Sequence, residues 1–122
     1  MIYTKRAYQK VSEDDGVRVL VDRIWPRGLS KKSLAINFWC KDIAPSTELR
    51  QWFSHDPEKF AVFKQKYIDE IQTDSHKNEK WKELKKVVEL NKHVTLIYAA
   101  KDEQYNQAVI LKELLGEQLK NQ

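Results

Sequence analysis

Two short runs of consecutive apolar residues predict the central strands of this chain. Residues 17–22 contain Val19, Leu20 and Val21 in succession, and residues 94–100 read VTLIYAA. A continuous apolar run is typical of a strand buried on both faces, as in a parallel sheet covered by helices. A further short strand is expected at residues 2–5, whereas residues 36–43 alternate only loosely and are predicted as a mixture of strand and irregular structure.

Capping residues and apolar periodicity predict the helices of the first half. Ser30 is expected to cap a short turn at residues 31–34. Pro45 breaks the preceding segment, and Ser46 then caps a helix that is expected to bury Leu49, Trp52 and Phe53 on one face.

Capping residues and apolar periodicity also predict the helices of the second half. Asp56 followed by Pro57 predicts the start of a helix that runs to about Gln72. Residues 73–78 are predicted to be a polar linker, and residues 79–90 a solvated outer helix. A last helix is expected from about Glu103 to Leu119. The expected inward residues of these three helices are Phe60, Phe63, Tyr67, Ile68 and Ile71, then Trp81, Leu84, Val87 and Val88, and finally Ala108, Val109, Leu111, Leu115 and Leu119.

This order of elements predicts an α/β fold, a single-domain layered sandwich spanning residues 1–122 with a mainly parallel sheet flanked by helices. In such folds ligands bind beyond the carboxyl ends of the strands. The loops at residues 22–28 and 100–102 follow the two apolar strands, so we expect them to lie side by side at that edge.

Composition limits the broad class of protein. An apolar fraction of 41% is enough for one core, and the mean hydropathy of −0.71 indicates a polar surface. The N-terminal residues lack the apolar segment of a secretory signal, and no run is long enough to span a membrane, so a cytoplasmic location is expected. Cys40 is the single cysteine, which excludes an intrachain disulfide and a cysteine-rich metal site.

The distribution of arginine says more than the net charge of +4. All five arginines lie in the first 50 residues. After residue 50 the basic residues are lysines and histidines only. Arginine binds phosphate and carboxylate groups through a planar, bidentate fork. The asymmetry therefore indicates anion recognition by the first half of the chain.

The loop after the first central strand is the main candidate site. It carries two arginines and a tryptophan around a Pro-x-Gly turn. A loop that only connects two elements rarely has this composition, because tryptophan exposes apolar area and each arginine brings a charge that requires a partner. Residues from other segments are expected to join it at the same edge. The predicted ligand-binding residues are Asp22, Arg23, Trp25, Arg27, Gly28, Arg50, Lys101 and Asn106.

Catalytic signals are weak. His55 and Asp102 are the candidate acid/base groups, His55 because it titrates near neutral pH. The three glycines are too scattered for a phosphate-binding loop, and the histidines lack zinc-ligand spacing. No cofactor or metal is therefore predicted, and Cys40 is interpreted as a buried structural residue.

Three motifs give a resemblance to a known family. RVLVDRIWPRGLSK at residues 18–31, APSTELRQWFSHDP at 44–57 and LIYAAKD at 96–102, with Asn106 just after, resemble the YeaO-like family of small bacterial and archaeal proteins. Phe60 stands where that family usually has tryptophan. The resemblance implies a single α/β domain of unknown function and brings no established activity, substrate or cofactor.

Three functions stay open at this point. The first is binding of a small phosphate- or carboxylate-bearing ligand. A nucleic-acid-binding module is the second, favoured by arginines beside aromatic residues and by a pI near 9.1, although the helix lysines alternate with glutamates. The third is a protein-interaction domain with Trp25 as its anchor. Asp22, Arg23 and Arg27 could instead form a structural ion-pair network.

Overall fold

The computed structural model describes residues 1–120 and has an α/β fold built on a four-stranded sheet. The strands are β1 (Ile2–Arg6), β2 (Val17–Leu20), β3 (Phe38–Trp39) and β4 (Val94–Tyr98). Their order in the sheet is β1-β4-β2-β3, and every neighbouring pair is parallel. The predicted fold class is confirmed, with the two apolar strands β2 and β4 side by side in the centre.

Five α-helices connect or follow these strands. They are α1 (Lys31–Leu34), α2 (Thr47–Phe53), α3 (Phe60–Thr73), α4 (Ser75–Leu90) and α5 (Gln107–Lys120). Short 3-10 helices occupy Glu13–Asp15, Lys41–Ile43 and Pro57–Lys59. The predicted caps are present, because the side chains of Ser30, Ser46 and Asp56 each accept a hydrogen bond from a backbone N–H of the following turn.

The two faces of the sheet are covered unequally. Val19 and Leu96 point into the main core, where they pack with residues of α2, α3, α4 and α5. Leu20 and Ile97 point the other way, into a smaller cluster closed by Leu34 of α1 and by loop residues. Both faces are therefore buried, as the apolar runs predict, but the second layer is thin.

A buried ionic cluster fixes this thin layer. The Arg18 guanidinium is 3% exposed and donates to Asp15 at 2.6 Å, and its other nitrogens donate to the carbonyl of Leu34 at the end of α1. Lys5 donates to the second oxygen of Asp15 at 2.8 Å. Arg18 therefore has a structural role, and the concentration of arginines in the first half does not reflect recognition alone.

The predicted linker at residues 73–78 is wrong. Helix α4 begins at Ser75, directly after Asp74, whose carboxylate accepts the backbone N–H of Lys77 as an N-cap. The segment is polar because it caps a helix and because Lys77, although buried, donates its ammonium group to the carbonyl of Ala44. A polar run predicts a linker poorly when it contains a capping residue.

Two details of the helices also differ from the predictions. Trp52 is 37% exposed and does not join Leu49 and Phe53 in the core; the ammonium groups of Lys59 and Lys66 lie 5.2 and 4.3 Å from its ring instead. In the last helix, Val109 is half-buried and its neighbour Ile110 occupies the core.

Helix α5 begins at Gln107 and not near Glu103. The first turn of the predicted helix is a loop, in which Asp102 accepts the backbone N–H groups of Gln104 and Tyr105. Asn106 then accepts the backbone N–H of Val109 at 3.1 Å and acts as the cap of the helix.

Candidate functional site

The loops after β2 and β4 meet at the carboxyl edge of the sheet, as predicted. Beyond the end of β2, the Val21 N–H still donates to the carbonyl of Ile97 at 3.0 Å. The Ala99 N–H then donates to the Asp22 carboxylate at 2.8 Å. These two bonds tie the loop at residues 22–28 to the chain that leads into residues 100–102.

A cleft of about 750 Å³ opens between these loops. Nine of the ten predicted site residues line it: Asp22, Arg23, Trp25, Arg27, Arg50, His55, Lys101, Asp102 and Asn106. Gly28 is the exception, because it is exposed in the turn beside the cleft, where its φ of +81° explains the need for glycine. The sequence therefore predicted which segments converge here.

Asp22 joins the two loops at the base of the cleft. Its carboxylate accepts hydrogen bonds from the Ala99 N–H and from the Gln107 side-chain amide. Burial raises the pKa of the Asp22 carboxyl above its usual value, although these hydrogen bonds and the charges of Arg50 and His55 oppose the shift. Asp22 therefore positions the backbone around the cleft.

The structural ion-pair network proposed for Asp22, Arg23 and Arg27 is absent from residues 1–120. None of the five salt bridges of this region contains any of the three residues. The partners of Asp22 are an amide and a backbone N–H, which no charge pattern in the sequence would indicate. The two arginines are consequently not neutralised by Asp22.

Arg23 and Arg50 have the most unusual environments in the cleft. The Nε atom of each guanidinium is buried and has no hydrogen-bond partner in the described part of the chain. One terminal nitrogen of Arg50 makes a long contact of 3.4 Å with the Thr47 hydroxyl. Buried polar groups are nearly always hydrogen-bonded, so two unpaired charged donors beside one cleft require an explanation.

Two further cations lie nearer to solvent. Arg27 and Lys101 are exposed, and neither forms a salt bridge within residues 1–120. The Arg27 backbone is held by the Tyr8 hydroxyl, which donates to its carbonyl at 2.9 Å. The lining thus has four cations, Arg23, Arg27, Arg50 and Lys101, against the two carboxylates Asp22 and Asp102.

The candidate acid/base residues both reach the cleft. His55 is exposed, has a φ of +56°, and its ring lies 6.2 Å from that of Phe53. One oxygen of Asp102 is engaged by two backbone N–H groups of the loop before α5. Asn106 is 2% exposed, and its amide donates to the Asp102 carbonyl while its oxygen caps α5.

The start of α2 is occupied in part by a carboxylate of the chain itself. Glu70 of α3 accepts the backbone N–H of Ser46 at 2.9 Å and also its hydroxyl. This carboxylate lies where the positive end of a helix dipole favours negative charge. Arg50 contributes to the cleft through its side chain alone.

Four aromatic residues of the cleft were not predicted from the sequence. Tyr8, Phe53, Phe63 and Tyr105 line it together with Trp25. Trp25 is half-buried, and its indole N–H donates to the Leu29 carbonyl at 2.6 Å. Tyr8 and Tyr105 follow the ends of β1 and β4 in the sequence. Residues that follow strand ends are expected at the carboxyl edge of the sheet, and this position could have identified both tyrosines.

Other chemistry is poorly supported by the described residues. Burial raises the pKa of the Cys40 thiol to about 11, which keeps it protonated and unreactive at neutral pH. Residues 1–120 contain no group of three or more His, Cys, Asp or Glu side chains placed to hold a metal ion. Within the same range, no helix has the length and apolarity needed to cross a membrane.

Comparison with known proteins shows the family. A family model described as the inactive DUF488-N3 subclade matches residues 1–122. The chain belongs to this subclade. YeaO of Escherichia coli, an uncharacterised protein, is 37% identical over 114 residues, which cover 93% of this chain and 96% of that protein. The resemblance to the YeaO-like family is therefore confirmed.

Other relatives of this DUF488-N3 chain are mycobacterial. An uncharacterised protein of Mycobacterium tuberculosis is 41% identical over 111 residues, covering 91% of this chain and 90% of the relative. An uncharacterised protein of Mycobacterium bovis matches to the same extent. The chain matches no solved structure.

Proposed function

We propose that this member of the DUF488-N3 subclade binds a small ligand through its phosphate or carboxylate group in the cleft at the carboxyl edge of the sheet. Arg23 and Arg50 bind the anionic group directly. Arg27 makes a charge-assisted contact with it from the mouth of the cleft, where Lys101 adds positive charge. The observation that carries the proposal is the pair of buried, unpaired Nε donors.

The unpaired donors of Arg23 and Arg50 are energetically unfavourable in the free protein. A buried charged donor without a partner loses its hydration and gains nothing in return, which is unfavourable by about 1 to 3 kcal/mol or more. An oxyanion in the cleft would supply acceptors for the guanidinium groups of Arg23 and Arg50, which both line it. Binding therefore gives these two groups acceptors that the described residues do not supply.

The charge balance supports an anion over a neutral ligand. Four cationic side chains line the cleft with two carboxylates. An excess of positive charge in a cleft attracts anions and raises their local concentration.

We infer binding without chemistry. The subclade is described as inactive, and the Asp102 carboxylate is already engaged by the backbone. His55 then lines the cleft without transferring a proton. A cytoplasmic location, expected from the sequence, forms part of the same proposal.

Thermal-shift measurements test this function. Inorganic phosphate, phosphate monoesters and small carboxylates are compared with sodium chloride at matched ionic strength. A saturating ligand raises the melting temperature by mass action, so at least one of these classes is expected to give a saturable increase that chloride does not. Equal effects of all salts at matched ionic strength would contradict the proposal.

A substitution at Arg27 tests the outer part of the site. The side chain is exposed and forms no salt bridge in the described chain, so Arg27→Ala is expected to melt within a few degrees of the wild type. Loss of a charge-assisted contact is expected to lower anion affinity by about tenfold to hundredfold. Isothermal titration and thermal melting measure the two quantities.

Lys32→Ala is the matched control, because Lys32 is also exposed but lies on α1, outside the cleft lining. It is expected to leave both quantities unchanged. A large drop in the melting temperature of Arg27→Ala would show that Arg27 is a structural residue.

A further inference from the structure

The cleft is larger than an inorganic anion requires. Its volume of about 750 Å³ lies within the range of about 300 to 1,000 Å³ that is typical of sites for organic ligands. A water molecule takes about 30 Å³ in the liquid, and a tetrahedral oxyanion is only a few times larger. The ligand therefore carries more than its anionic group.

Much of the remaining lining is aromatic. Five of the thirteen Phe, Trp and Tyr residues of the chain line this cleft. Tyr8 is 46% exposed and Tyr105 is 37% exposed, so each has ring surface that the protein does not cover. Exposed aromatic rings in a cleft offer surfaces on which a flat ligand ring can stack.

Both tyrosines are held in place before a ligand arrives. The Tyr8 hydroxyl donates to the Arg27 carbonyl, and the Arg6 guanidinium lies 5.2 Å from the centre of the Tyr8 ring. Tyr105 contacts Phe60 in an edge-on arrangement with 5.1 Å between ring centres. Rings that are already ordered lose little entropy when a ligand stacks on them.

The two tyrosines and the buried Arg23 reach the cleft from different strands of the sheet. Tyr8 follows β1 and Tyr105 follows β4, whereas Arg23 follows β2. Because β4 lies between β1 and β2, the segments that carry the tyrosines and the arginine leave neighbouring strands at one edge of the sheet. A ligand with a flat ring at one end and an anion at the other matches this arrangement.

Building on the anion-binding function proposed above, we infer that the ligand is a nucleotide unit. Its phosphate binds to Arg23 and Arg50, and its base stacks on the tyrosine rings. Stacking depends little on base identity, since every base has a flat face. The unit could be a free mononucleotide or the 5′-terminal nucleotide of a single strand, because both present the same phosphate and base.

Isothermal titration of the full chain with three probes tests the inference. AMP has both groups, ribose 5-phosphate lacks the base, and adenosine lacks the phosphate. AMP is expected to bind about tenfold to hundredfold more tightly than ribose 5-phosphate, which is the contribution of stacking one base. Adenosine is expected to bind more weakly than AMP by a similar or larger factor.

Tyr105→Leu tests the stacking surface. The variant is expected to bind AMP and ribose 5-phosphate with similar affinity, while its affinity for ribose 5-phosphate stays at the wild-type value. Tyr3→Leu is the matched control, because Tyr3 is 36% exposed but does not line the cleft. The control is expected to keep the full preference for AMP.

The outcomes distinguish the nucleotide inference from the anion-binding proposal on which it rests. Equal binding of AMP and ribose 5-phosphate to the wild type would overturn the nucleotide inference and leave anion binding intact. If neither these compounds nor any other phosphate or carboxylate binds, both are wrong. An unchanged preference for AMP in Tyr105→Leu, with Tyr8→Leu also unchanged, would likewise overturn the stacking role.

Short single strands with a 5′-phosphate or a 5′-hydroxyl identify the source of the unit. Tighter binding of the phosphorylated strand than of AMP supports a strand end, and weaker binding supports a free mononucleotide. Equal binding of phosphorylated and hydroxyl strands would contradict the inference, because the terminal phosphate would then make no contribution.

Discussion

Replacing both Arg23 and Arg50 by methionine is expected to abolish anion binding while leaving the fold about as stable as the wild type. Each charge-assisted contact contributes about 1.5 to 3 kcal/mol, so the double variant should lose roughly a hundredfold to ten-thousandfold in affinity. The buried Nε atoms have no partner in the described chain, so their removal breaks no hydrogen bond at that atom. Isothermal titration and urea unfolding measure the two effects.

Measuring binding and unfolding together distinguishes loss of the ligand contacts from loss of the fold. Loss of binding with an unchanged unfolding midpoint supports a ligand-facing pair of arginines. A double variant that unfolds several kcal/mol more easily than the wild type would show that Arg23 and Arg50 support the fold, and the proposed site would lose its main evidence. Single variants then show whether the two guanidinium groups act independently.

Asp15→Ala is expected to cause the largest loss of stability. Asp15 is 6% exposed and neutralises Arg18, which is 3% exposed. Removing the carboxylate leaves a buried guanidinium without its counter-charge, which costs about 3 to 5 kcal/mol. For a chain of this size, the melting temperature should fall by roughly 10 to 20 °C. Asp14→Ala is the control, since Asp14 is exposed and forms no salt bridge in residues 1–120.

The ion pair of Asp15 and Arg18 also predicts how the stability of the fold depends on pH. Burial opposes ionisation of Asp15, but hydrogen bonds from Lys5, Ser12 and Arg18 outweigh burial and hold its pKa below the usual value for an aspartate. A lowered pKa in the folded state means that the contribution is complete above the unfolded pKa and is lost as the pH falls through the folded one. The difference in unfolding free energy between wild type and Asp15→Ala should therefore shrink in strong acid and stay constant near neutrality.

The main features of the fold could be predicted because they depend on local patterns. Doubly apolar strands require burial on both faces, and parallel strands bring their carboxyl ends to one edge. The convergence of Arg23, Lys101 and Asp102 follows from those two facts. Ser46 and Asp56 were identified as caps because capping depends on a few adjacent residues.

The remaining features depend on contacts between distant segments. Trp52 fits the helical periodicity of α2, but it lies at the surface, where the ammonium groups of Lys59 and Lys66 contact its ring. Arg18 and Arg23 are indistinguishable by residue type, although one is paired and the other has an unpaired donor. The bond from Gln107 to Asp22 spans 85 positions. No local pattern encodes such pairings.

The most direct test of the account observes the arginine side chains themselves. Nuclear magnetic resonance detects the Nε–H group of each arginine during titration with inorganic phosphate, and Arg18 serves as an internal reference. The account predicts saturable shifts of the Arg23 and Arg50 signals at one common affinity, with the Arg18 signal unmoved. Signals of Arg23 and Arg50 that stay in place, or that move linearly together with that of Arg18, would contradict it.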